Sequence, residues 1–119
     1  MNRFFLIGSM KLWRNKMKIY ISGKITNNKD YKQEFKNAVY FIIDQKEKFF
    51  PNENEITYFN PAEVKLPDTA TWEDYMRYDL KVLLECQAIF MLDGWKESEG
   101  AKTEHYLAKK LNMKIIYQK

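Results

Sequence analysis

Two acidic residues stand where acids are costly. In "ESEGAKTEHYLAKKL" (Glu97–Leu111), Ala101, Leu107, Ala108 and Leu111 recur at helical spacing and form one face, and Glu104 falls within it. The preceding helical stretch repeats the pattern. Trp72, Tyr75, Met76, Leu80 and Leu83 form an inward stripe with Asp79 among them, while Glu73, Asp74, Arg77, Lys81 and Glu85 take the outer side. A lone buried carboxylate is unfavourable unless it is paired or hydrogen-bonded. One reading of each acid is structural, a side chain that caps or bridges. The other is a paired-carboxylate site, in which one acid attacks or stabilises an electron-deficient carbon and the other, its pKa raised by burial, manages a proton. Such pairs break glycosidic bonds through oxocarbenium-like transition states.

The loop before the last helix adds a second feature. "SEG" places a hydroxyl at Ser98 and a flexible backbone at Gly100, where a helix N-terminus begins. N–H groups there attract anions, phosphate above all. The same residues also read as an N-cap and a turn-relieving glycine. Trp95 and Tyr20 are candidate stacking surfaces for a base, and core packing accounts for each equally well.

These residues need elements to position them. Lys18–Ser22, Ile56–Asn60, Ala88–Leu92 and Lys114–Tyr117 are short, β-branched or apolar runs and read as strands. Between them lie helical patterns. The first carries Phe35, Ala38, Val39, Ile42 and Ile43 on one face and extends to Phe49 before Pro51. The second runs from Trp72 to Cys86, with Thr71 and Asp74 spaced as a capping box, and the third contains Glu104. Alternating strands and helices predict an α/β fold: a three-layer Rossmann-like or flavodoxin-like sandwich, its short, mainly parallel sheet covered by helices on both faces. In such folds ligands bind beyond the carboxyl ends of the strands. The loops there are Gly23–Asn28, Asn60–Thr71 and Asp93–Gly100.

Composition narrows the classes. At 119 residues the chain is one domain. Residues 17–119 carry all the patterned elements, and residues 1–16 read as an appendage or docking arm tethered by Phe4, Phe5 and Trp13. The net charge of +4 and pI near 9.0 come from dispersed lysines, which favour anionic ligands in general. With no basic stripe or aromatic-studded sheet face, nucleic acid is not an expected partner. No apolar run approaches the ~20 residues a membrane span requires. The single cysteine, Cys86, fits a reducing cytoplasm and buried packing, and with one histidine, His105, a zinc site is not expected.

"KIYISGKI", "YFNP" and "WEDYMRYDLKVLLECQAIFMLDGWKESEGAKTEHYLAKKLNMKIIY" together resemble the nucleoside 2-deoxyribosyltransferase-like superfamily, and more narrowly its small DUF4406 proteins, over Lys18 to Tyr117. The resemblance implies Glu104 as the nucleophile of a covalent deoxyribosyl intermediate and Asp79 as the residue that assists the departing base or holds the sugar. Six residues before the glutamate, free-nucleoside transferases carry aspartate. The 2'-deoxynucleoside 5'-phosphate N-hydrolases carry serine there, with a phosphate-binding glycine two residues later, as Ser98 and Gly100 do here. The first loop, "GKITNN", departs from the proline or the arginine and glycines of relatives, and leaves Lys24 as the candidate positive charge. The implied substrate contacts are Gly23, Lys24, Ile25, Ser98, Gly100 and Ala101, with Tyr20 and Trp95 at the base. The implied activity is cleavage or transfer of the N-glycosidic bond of a 2'-deoxynucleoside, as its 5'-monophosphate, by a homodimer or larger homo-oligomer without a cofactor. The alternative is a non-catalytic module on the same fold that binds nucleotides or a partner protein.

Overall fold

A computed structural model of the chain describes residues 16–119, and the appendage expected over residues 1–16 lies outside that range apart from Lys16, which opens the first strand. The elements are β1 (Lys16–Ser22), α1 (Tyr31–Asp44), α2 (Lys46–Phe49), β2 (Glu55–Phe59), α3 (Trp72–Leu83), β3 (Ala88–Met91), α4 (Glu99–Lys110) and β4 (Lys114–Tyr117). Short 3-10 turns stand at Pro61–Glu63 and Trp95–Glu97. The four strands form one sheet in the order β2-β1-β3-β4, and every pair is parallel. This is the Rossmann-like, flavodoxin-like sandwich that the alternation of elements predicts.

Strand periodicity sorts the core into two layers. Ile19 and Ile21 of β1, Ala88 and Phe90 of β3 and Ile116 of β4 face one way and pack against Phe35, Ala38, Val39 and Ile42 of α1. Tyr20, Ile89 and Met91 face the other way and meet Leu83 of α3 and Ala101 and Ala108 of α4. The chain order makes β1 the pivot. From β1 the chain moves to β2 on one side, then crosses back to β3 on the other. Crevices in parallel sheets open at such reversals, beyond the carboxyl ends of the flanking strands.

The helices differ from the sequence reading at their ends. The first begins only at Tyr31, because Asn27 adopts a positive φ of 60° and the Asn28 side chain holds the turn, donating to the Lys24 carbonyl at 2.9 Å and accepting from the Asp30 N–H. It breaks at Gln45 and resumes as α2, a bend that brings Phe50 into the core. The second starts at Trp72 behind the expected capping box: Thr71 Oγ1 accepts from the Asp74 N–H at 3.2 Å, and the Asp74 carboxylate accepts from the Thr71 N–H at 2.9 Å. Trp72 itself is not part of the packed stripe, since 48% of it is exposed on the first turn. Leu111 likewise lies past the end of α4 and is 50% exposed. Cys86 is buried, its thiol donating to the Val82 carbonyl, and burial pushes its pKa up to about 12.

Gly23, the first residue after β1, sits at the pivot with no room for a side chain. A Cβ there would lie 2.6 Å from Leu92 Cδ1 and 2.9 Å from Leu92 Cβ. Gly23→Ala is therefore expected to lower stability by about 1–3 kcal/mol through overpacking. An unchanged urea midpoint would show that Leu92 moves aside freely.

Candidate active site

α4 approaches the sheet closely because its inward positions on either side of Glu104, Ala101 and Ala108, are small and fully packed. The short reach that results lets Glu104 meet the strand beneath it. Tyr20 and Ser22 are two residues apart on β1 and so point to the same face. The Tyr20 hydroxyl donates to Glu104 Oε2 at 2.5 Å, and the Ser22 hydroxyl donates to Oε1 at 2.6 Å. Glu104 is 5% exposed. Burial raises its pKa, the two hydroxyl hydrogen bonds oppose that rise, and the charge of Asp79 adds to it. The outcome is about 7.

Asp79 arrives from α3, three residues after Met76 and four before Leu83, and is 6% exposed. Its environment is poorer than that of Glu104. Among the described residues Oδ1 has no hydrogen-bond partner, and burial alone lifts the carboxyl to about 7. Both acids therefore titrate near neutrality, for different reasons. Two donors stabilise the Glu104 anion, whereas no described residue donates to Asp79 Oδ1. When the pair holds a single proton, these contacts favour Asp79 as its bearer.

Asp79 and Glu104 line one cavity of about 340 Å³, within the ~300–1,000 Å³ usual for small-molecule sites. Gly23, Ile25 and Thr26 from the first loop form one side of it. Pro61, Ala62 and Thr71 come from the second loop, and Ser98, Gly100 and Ala101 from the start of α4. Tyr31 and Phe35 of α1 and Trp72, Tyr75 and Met76 of α3 complete the wall. The three loops named from the sequence thus meet at one place. Ser98 is the N-cap of α4, its Oγ accepting from the Ala101 N–H at 3.1 Å, which leaves the hydroxyl proton free to donate. The first N–H groups of α4 have no acceptor within the helix. A Cβ on Gly100 would lie 3.2 Å from Met76 Sδ, so the glycine lets α3 and α4 approach each other here.

Of the candidate residues, Gly23, Ile25, Asp79, Ser98, Gly100, Ala101 and Glu104 are gathered around this cavity. Lys24 lies between two lining residues without being one, and no described lining residue is a lysine or arginine. Tyr20 is fully buried beneath the cavity, so its ring offers no stacking face, and its hydroxyl serves Glu104 instead. Trp95 stands in a separate cleft with His105 and Tyr117. The His105 ring covers it at 4.1 Å between centroids and shares a 2.7 Å hydrogen bond with the Tyr117 hydroxyl. The 3-10 turn at Trp95–Glu97 carries the indole away from the acids. Sequence reasoning overlooked Ser22, although a serine two positions after a tyrosine in an apolar strand was a visible signal. It also took Trp72 for core.

A family model described as Domain of unknown function (DUF4406) matches residues 17–117. The chain belongs to that family. Among curated proteins, none matches it. The match spans β1 to β4 and so includes every residue of the cavity of this DUF4406 domain. Among the described residues, no helix is long and apolar enough to cross a membrane, and no group of three or more histidine, cysteine or acidic side chains is arranged to hold a metal ion.

The raised carboxyl pKa values set a pH dependence of stability. Between the ordinary values of 3.8 and 4.5 and the folded values of about 7, the folded DUF4406 domain binds protons that the unfolded chain has released. Stability contributed by these groups is thus intact at low pH and lost as pH rises from about 4 to about 7. His105, held below its ordinary value by burial and then by Lys109 and Lys96, acts in the opposite sense. The acids are therefore isolated by difference. The urea midpoint of Asp79→Asn, compared with the parent, should show a shallower decline across that window. Tyr20→Phe, which removes a donor to Glu104, should carry the decline to higher pH. Parallel profiles for all three proteins would mean that the carboxyls are ordinary.

Proposed function

We propose that this DUF4406 domain cleaves, or transfers across, the N-glycosidic bond of a 2'-deoxynucleoside 5'-monophosphate. The observation that carries the reading is the unequal environment of two buried carboxyls on one cavity: Glu104 with two hydroxyl donors, Asp79 with an orphaned oxygen. The resemblance of the chain to the deoxyribosyltransferase-like superfamily agrees with it.

The chemistry closes with these two groups. The Glu104 carboxylate attacks C1' of the sugar as the C1'–N bond breaks, and the electron pair of that bond leaves with the base. Asp79, holding the proton, gives it to the departing nitrogen. The product is a deoxyribosyl ester of Glu104. The oxygen that bonds C1' releases its hydroxyl donor, and the other stays hydrogen-bonded as the ester carbonyl. Water then adds at C1', its proton passing to the Asp79 carboxylate, and Glu104 is restored. A second base in place of water gives transfer. A 2'-deoxy sugar suits the path, since it lacks the electron-withdrawing hydroxyl that destabilises a cation-like transition state. The 5'-phosphate is taken by the Ser98 hydroxyl and the open N–H groups of α4. A homodimer or larger homo-oligomer is the assembly we expect.

Incubation with the four deoxynucleoside 5'-monophosphates, followed by chromatography for free base, tests this directly. Release should follow a bell-shaped pH profile centred near about 7, where one acid is ionised and the other protonated. Glu104→Ala should reduce release by about 10³-fold or more. Undiminished turnover in that variant would eliminate the nucleophile. Binding of nucleotides without any product would leave a non-catalytic binding module.

The phosphate assignment has its own check. Ser98→Asp places a negative charge at the α4 N-terminus and should lower kcat/KM for the monophosphate by about 5-fold or more, the Coulomb repulsion being ~1–4 kcal/mol at close range. The parent nucleoside should be little affected. Equal losses for both substrates would remove the phosphate from this place.

A further inference from the structure

An exposed tryptophan at the edge of an apolar-walled cavity is an unused feature of the site. The aromatic side chains along the wall differ in freedom. Phe35 is sealed in the α1 core, Tyr31 packs against that core, and the Tyr75 hydroxyl accepts a hydrogen bond from the Leu66 N–H at 3.2 Å. Trp72 alone among these four leaves nearly half its surface, 48%, to solvent while lining the cavity. It is nevertheless well anchored, because it is the first helical residue behind the Thr71–Asp74 capping box.

We infer that Trp72 is the stacking platform for the nucleobase. This rests on the glycosidic-bond reading of the same cavity. Trp72, Met76 and Asp79 follow at i, i+4 and i+7 on α3, so all three share the helix face that lines the cavity. Seven residues correspond to roughly 10 Å of helix axis. A sugar whose C1' sits at the acids therefore directs its base along this stripe, past the Met76 thioether and towards the indole. A flat heterocycle gains from an exposed indole face in two ways: it covers apolar surface, and it stacks in the offset geometry aromatic rings prefer. The other candidate indole, Trp95, is covered by His105 and lies in a different cleft. Trp72 thereby acts on the leaving group and sets base preference. The larger purines overlap it more than pyrimidines do.

Free bases test the platform without requiring any reaction. Equilibrium dialysis of the full chain with labelled adenine, hypoxanthine, cytosine and thymine should show saturable binding of at least one. Trp72→Ala should weaken that binding between about 5-fold and about 150-fold, the range found for loss of one base–aromatic stack. Trp72→Phe should retain most of it, and Trp95→Ala should match the parent. Because Trp72 is half exposed, unchanged thermal melting of Trp72→Ala is expected and separates a lost contact from a damaged fold. In a chain whose only tryptophan is Trp72, with Trp13 and Trp95 replaced by phenylalanine, the bound base should quench the emission. Parent-like binding by Trp72→Ala, or no saturable binding of any of the four bases by the parent chain, overturns the inference. The reaction itself stands or falls separately. Bases that bind through Trp72 while no deoxynucleotide is cleaved would leave the platform and remove the chemistry. Cleavage with kcat/KM indifferent to Trp72→Ala would do the reverse.

Discussion

The site depends on one constraint: a glutamate must stay buried against a β-strand without being neutralised by a cation. Taking a carboxylate out of water costs several kcal/mol unless its oxygens find donors. β1 supplies them through its two-residue period, which sets the Tyr20 and Ser22 hydroxyls on one face under the two oxygens of Glu104. Hydroxyls differ from a lysine or arginine in an important respect. They orient and partly stabilise the anion without fixing its charge, so burial still holds the group near about 7. A salt bridge at the same place would have produced a permanently ionised, structural acid. The alanines flanking Glu104 on α4 belong to the same arrangement, since bulkier residues would lift the helix off the sheet and leave the hydroxyls out of reach.

The two layers of the sandwich divide the work. The apolar cluster between α1 and the sheet is built from Ile19, Ile21, Phe35, Val39, Ile42 and Phe90 with their neighbours. The opposite layer holds the polar groups Tyr20, Ser22, Asp79 and Glu104. Truncating one of the large α1-side residues, such as Phe35, would cost about 3–5 kcal/mol. Burial on the α1 side offsets part of the cost of the α3–α4 layer, whose two acids each weaken the fold at neutral pH. The cavity opens where the layers meet, at the reversal between β1 and β3, and takes part of its wall from each.

Much of this was legible in the sequence. Helical spacing alone put Glu104 and Asp79 on inward faces, because a 3.6-residue period is readable without knowing what the face packs against. The order of strands and helices gave the architecture for a similar reason: each element's pattern is local. What stayed hidden is non-local. Ser22 reads as an ordinary strand residue until the helix covering that face is known, and its partner lies 82 residues further along the chain. The two tryptophans show the same limit more sharply. Trp72 looked like core because it keeps the period of its stripe, yet at the first turn of α3 it lines an open cavity and is left 48% exposed. Trp95 looked like a site residue because its loop is a site loop, yet the turn at Trp95–Glu97 sends it to His105. Periodicity reports the direction of a side chain about its own axis, not where along the assembly that axis ends.

The difference between the two acids also bears on direction of proton flow. A proton-donating acid near neutrality needs its charged form to be unfavourable, and an attacking carboxylate needs the reverse. In a shared low-polarity cavity, burial acts on both alike and cannot distinguish them. Only local donors can, and here they come from β1, whose hydroxyls hydrogen-bond Glu104. The polarity of the site therefore originates in the sheet rather than in the helices that carry the acids. Exchanging the two carboxyl roles would require hydroxyls beneath α3, and the strand periodicity that places Tyr20 and Ser22 under α4 does not provide them.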